Sequence, residues 1–175
     1  DENDAFITRY ELINDGKKIS SKASSVNHIT NEMIHGKPSF HESSIFSFLQ
    51  AYNNQDTTIV GHNVKFDIEK LALSGFVFKG LLIDTLRVSK HIIPECESYA
   101  LQFLRYELKL YQKEKKPLLA HNALSDAIIT KYLYDYLLEC VSQDEMYELS
   151  FKNVLQKKFT FGKYSGRYIE EIVMY

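Results

Sequence analysis

Two short apolar runs, each followed by a polar corner and then a helical pattern, restrict the fold of this chain more than any other feature. Thr57-Thr58-Ile59-Val60 runs into Gly61-His62-Asn63, and a helical pattern follows from about Val64 to Ser74. Leu81-Leu82-Ile83 ends at Asp84, and a second helical pattern carries Leu86, Val88 and Ile92 until Pro94 stops it. Short strands that alternate with helices imply an α/β layered domain.

The flanks fit that architecture. Residues 5–13, AFITRYELI, are rich in β-branched and aromatic side chains and predict a strand, with Asn14-Asp15-Gly16 as a turn. Residues 17–27 read as polar and irregular, and a short helix is expected over about 28–35. Ser39 with Glu42 three positions on has the spacing of a capping box, for a helix reaching Tyr52. A helix is expected over 98–108, then a charged loop from Lys113 to Pro117. From Leu124, apolar residues at Ile128/Ile129, Tyr132/Leu133 and Tyr136/Leu137 predict a long amphipathic helix ending near Cys140. Residues 1–150 read as one domain and 151–175 as a small appended tail, with a strand-turn-helix unit around Gly162 and Gly166.

Hydrophobic residues make up 45% of the 175, enough for a core, which excludes general disorder. The formal charge of −2 argues against a protein that coats long duplexes, and for contact confined to a strand end. Cys96 and Cys140 show neither zinc-ligand spacing nor a disulfide framework, so an intracellular, cytoplasmic setting is the expectation. No apolar run reaches membrane-spanning length.

Two constellations carry candidate chemistry. GHNVKFD places His62 and Asn63 at a strand end, where α/β folds bind ligands, and Asp67 early in the next helix. AHNALSD places His121 in a loop, Asn122 as a cap and Asp126 inside the long helix. Each also has a plain structural reading: Asn63 and Asn122 as caps, Asp67 and Asp126 as partners of the helix dipoles, His121 as a surface residue. Asp84 reads chiefly as an N-cap. Carboxylates at helix starts can also converge on Mg²⁺ or Mn²⁺, with a neutral histidine taking a proton from water. On the residues alone the chain is an α/β domain with an incomplete site.

The motifs in this order resemble the DEDD exonucleases of the histidine-containing class, DnaQ-like proteins with a ribonuclease H-like fold. The resemblance runs from about Glu11 to Glu139. ELINDGKKISSKASSVNHITNEMI is similar to the stretch that leads from the family's third strand into its HGIT helix, with Asn27-His28-Ile29-Thr30 at that place. GHNVKFD resembles the second motif, AHNALSD the third, and IDTLRVSKHIIPECESYALQFL the segment between them. FTFGKYSGRYIEEI, from Phe159 to Ile172, is similar to the FGK-x-x-G tail of exonuclease X-like members.

The resemblance implies a three-layer domain with a mixed sheet and a 3'–5' exonuclease that releases nucleoside 5'-monophosphates from DNA or RNA 3' ends. It implies Asp67 and Asp126 as ligands of two Mg²⁺ or Mn²⁺ ions, His121 as general base, and Asn63 and His62 as contacts to the terminal nucleotide. Phe66 is expected in the core. Lys65 and Lys70 read as solvated helix lysines. One departure stands out: the family's first motif, an Asp-x-Glu pair on its central strand, has no counterpart here. The expectation is that the natural protein carries such a strand ahead of Asp1. The alternative is a catalytically inactive exonuclease-like domain that binds nucleic acid or acts as a scaffold.

Overall fold

The structure, a computed structural model, describes residues 6–155, 159, 162–164 and 166–173. In chain order these hold α1 (Ser21–Asn27), α2 (Asn31–Ile34), α3 (Ser44–Ala51), β1 (Thr58–Gly61), α4 (Val64–Leu73), β2 (Leu81–Asp84), α5 (Thr85–Ile92), α6 (Leu101–Glu107), α7 (Ala123–Leu138), α8 (Gln143–Phe151) and α9 (Ile169–Val173). The expected α/β architecture is present. β1 and β2 pair in parallel, with Thr58 opposite Leu81 and Gly61 opposite Asp84, so both polar corners lie at one end of the sheet. At the other end the Leu81 N–H donates to the Thr57 carbonyl at 2.9 Å. Gly80 allows that approach, because a Cβ there would collide with the same carbonyl.

The core lies against β2. Ile83, Val88, Leu104, Leu110, Leu133, Leu137 and Met146 are each at most 1% exposed and form one cluster. α7 contributes through Ser125, Ile129, Leu133 and Leu137, a stripe of one residue per turn. Each fully buried Leu or Ile stabilises the fold by about 1.5–3 kcal/mol.

Several elements differ from expectation. Residues 6–13 form no strand, because no ladder partner stands beside them among the described residues. Side chains anchor this stretch instead: Glu11 Oε2 accepts from the N–H of Ser44 at 2.8 Å, and Asp15 Oδ1 from that of Phe40 at 2.8 Å. α1 occupies residues expected to be irregular, capped by Ser20, whose hydroxyl accepts from the Ala23 N–H at 3.2 Å. The Ser39–Glu42 capping box forms, but it opens a 3-10 turn, and Ser43 caps α3. α8 is an additional element beyond those expected from the sequence. The strand expected in the tail falls partly outside the described residues; those described there hold α9 and a 3-10 turn at Gly162–Tyr164. Phe66 is not core: it is 55% exposed, and the Lys70 ammonium lies 5.1 Å from its ring centroid.

Candidate functional site

Asp84 organises the end of the sheet. It is 4% exposed, and its Oδ1 accepts from the N–H groups of Leu86 at 3.0 Å and Arg87 at 3.4 Å, which caps α5. The same oxygen accepts from the Asn63 N–H at 3.0 Å, so one carboxylate holds both corners. Its own N–H donates to Ser150 Oγ at 2.8 Å, which ties α8 to the corner. Gly61 leaves room for the turn, since a Cβ there would meet the Val64 side chain at 3.0 Å.

That clamp explains the conformation of the first motif. Asn63 sits at the N-cap position of α4 with φ 69°, in the left-handed region, and its side chain makes no capping bond. Its backbone is committed to Asp84 and its side chain is exposed. His62 is held inside instead. Nε2 lies 2.8 Å from the Tyr99 carbonyl and Nδ1 3.0 Å from Thr85 Oγ1, so both ring nitrogens are used within the protein. A carbonyl only accepts, so Nε2 carries the proton. The ring joins the β1 corner to the segment before α6. Asp67 is exposed on α4. Crowding by neighbouring atoms pushes its carboxyl up; the N–H bond at the helix start opposes this, and the negative charge of Asp84 adds to it.

The second motif opens α7. His121 is exposed, with φ 60°. Asn122 caps the helix, its Oδ1 accepting from the Ser125 N–H at 3.1 Å. Asp126 lies one turn in, and its Oδ1 accepts from Gln102 Nε2 at 2.9 Å. Gln102 Oε1 accepts from Arg105 at 3.1 Å, and Arg105 forms two bonds to Glu114, at 2.6 and 2.7 Å. Asp126 is thus the last member of a side-chain chain that starts in the loop after α6. Sequence reasoning missed Gln102, Arg105 and Glu114, which are scattered polar positions with no motif to mark them.

A divalent ion needs several hard oxygen or nitrogen ligands around one point. Among the described residues no three His, Cys, Asp or Glu side chains form a group that could hold one. Asp67, Asp126 and His121 therefore do not make a metal centre. The expectation of two Mg²⁺ or Mn²⁺ ions is corrected by that absence of a ligand group among the described residues, and Asp126 Oδ1 is already taken by the Gln102 amide. A cavity of about 390 Å³ lies at the opposite end of the sheet, beside Thr58 and Leu81, and its acidic lining of Asp144 and Glu148 disfavours anions.

A family profile described as exonuclease, of the RNase T type, matches residues 4–134. The chain belongs to this exonuclease family. It is 32% identical over 158 residues to the PolC-type DNA polymerase III of Lacticaseibacillus paracasei, across 87% of this chain and 10% of that protein. Identity to the Thermotoga maritima PolC-type polymerase is 30% over 148 residues, across 81% and 10%. Identity to the 3'-5' exonuclease DinG of Bacillus subtilis is 29% over 151 residues, across 81% and 15%. This exonuclease-family chain spans about 10% of the length of the polymerases it matches. A solved structure of Exonuclease X in complex with 5' overhanging duplex DNA matches with a TM-score of 0.65 at 23% identity, over 79% of this chain and 78% of that one, which shows a shared fold. Among the described residues, no helix of this exonuclease-family chain is long and apolar enough to cross a membrane.

The half-buried His62 predicts a pH dependence for the exonuclease-family fold. Burial lowers its pKa below the ordinary 6.5; the Tyr99 carbonyl and the Asp84 charge oppose the shift, and Lys90 adds to it. The unfolded chain then binds more protons than the folded one between the depressed value and 6.5. Stability therefore rises with pH through that window and is lost as pH falls through it toward the depressed value. Melting curves from about pH 5 to 8 are expected to show this slope in the parent and a weaker one in His62→Gln. Equal slopes would remove His62 as the cause.

Proposed function

We propose that this exonuclease-family chain binds the end of a nucleic-acid strand without hydrolysing it. One observation carries the reading: among the described residues no three His, Cys, Asp or Glu side chains form a group that could hold an ion, and Asp126 Oδ1 accepts from Gln102. Family membership and the fold shared with a DNA-bound Exonuclease X support nucleic acid as the ligand. Asn63 and His121 are exposed, one at the carboxyl end of the sheet and one at the start of α7, where strand-end contacts would fall. Binding is assigned to residues 1–150, with 151–175 as an appended segment.

Fluorescence anisotropy with a 3'-labelled DNA or RNA oligonucleotide tests the reading. Binding that persists in excess chelator, with the label retained on the full-length strand in Mg²⁺ or Mn²⁺, is the expected result. No binding to either strand type would refute it.

A further inference from the structure

Residues 105–116, from the last turn of α6 into the loop before α7, carry an excess of basic side chains. The chain carries −2 overall, yet Arg105, Lys109, Lys113, Lys115 and Lys116 face only Glu107 and Glu114 across residues 105–116. Arg105 and Glu114 neutralise each other in a pair whose side chains are 7% and 6% exposed. The outer surface is therefore four exposed lysines against Glu107 alone.

Two tyrosines stand among these lysines. Tyr106 is 60% exposed and Tyr111 41%, with ring centroids 5.6 Å apart and planes 35° from each other. Rings this open contribute little to a core. Their base is rigid, however: Leu110 is 1% exposed inside the main cluster, and the Arg105 guanidinium lies 5.2 Å from the Tyr106 centroid. Rings held in place before binding lose little freedom when a base stacks on them. The Leu118 N–H meets Glu114 Oε2 at 3.4 Å, and the same loop continues to His121.

We propose that Tyr106 and Tyr111, with the exposed Lys109, Lys113, Lys115 and Lys116 of the same segment, form a platform for a single-stranded nucleic acid. Bases stack on the phenol faces while the ammonium groups meet phosphates. This rests on the nucleic-acid reading above and adds its location and strand type. A duplex hides its base faces, so single strands bind more tightly. An acidic protein surface would engage the lysines but gain nothing from the rings.

The test is anisotropy of a fluorescent oligothymidylate of about 12 nucleotides with the full chain in chelator. Tyr106→Ala with Tyr111→Ala should weaken binding about tenfold or more, and Tyr106→Phe with Tyr111→Phe should stay within about twofold of the parent. Lys113→Gln, Lys115→Gln and Lys116→Gln together should lower the slope of log affinity against log salt by about 2. Melting temperatures near the parent's certify the fold of each variant. A parent that binds and an alanine pair that binds equally would overturn the platform and leave the nucleic-acid reading intact. Loss in the lysine variant alone would reduce the surface to a charge patch and also overturn it. A parent that fails to bind would remove both.

Discussion

Arg105→Ala is expected to destabilise the fold by about 3–5 kcal/mol, the usual cost of orphaning one partner of a buried ion pair. The substitution removes both hydrogen bonds to Glu114 and leaves that carboxylate with 6% of its side chain in contact with water. Gln102 loses its donor as well, which loosens its hold on Asp126. For a chain of this size the loss corresponds to a fall in melting temperature of about 6–20 °C. Arg105→Met combined with Glu114→Leu removes both charges together and should recover most of the loss, because no buried charge then lacks a partner. Arg105→Lys should recover little, since an ammonium cannot make the paired contact of a guanidinium. A loss below about 1 kcal/mol in Arg105→Ala would show the pair to be solvated and the account of this loop to be wrong.

Asp84→Ala should cost about 2–4 kcal/mol, from a lost helix cap and an unpaired N–H at the neighbouring corner. The carboxylate serves Leu86, Arg87 and Asn63 at once, so no other group can take over all three. Asp84→Asn keeps the accepting oxygen and should lose less than half as much. The pair separates capping from charge: Asp84 also helps to raise the Asp67 carboxyl, so either substitution should let Asp67 ionise at lower pH. Urea unfolding of the three proteins measures the first effect, and carboxyl NMR titration of Asp67 the second. Equal midpoints for Asp84→Ala and parent would contradict the clamp.

What the sequence revealed follows from how local each signal is. The βαβ unit was legible because strand, corner and helix stand consecutively, and the Asp84 and Asn122 caps needed only their neighbours. α1 was hidden because SSKASSVN has no apolar stripe and none of its helical residues is buried. α8 has a readable start, Ser142 with Glu145 three positions on, but no apolar stripe marks it, because only Met146 and Ser150 reach the interior. Residues 6–13 have strand composition, but composition does not supply a ladder. The chain from Glu114 to Asp126 joins residues up to 24 positions apart in sequence, and no spacing rule points to it. The same limit applies to the metal expectation. Motif acids can be recognised in one dimension, whereas their convergence is a fact of three.

The most direct test of binding without cleavage is a single-turnover experiment with excess full-length chain and a 3'-labelled single strand, in Mg²⁺, in Mn²⁺ and in chelator. The account expects the anisotropy of the bound strand in all three conditions and no release of nucleoside 5'-monophosphate in any. Release in either metal that stops in chelator and is lost in Asp67→Asn or Asp126→Asn would contradict it.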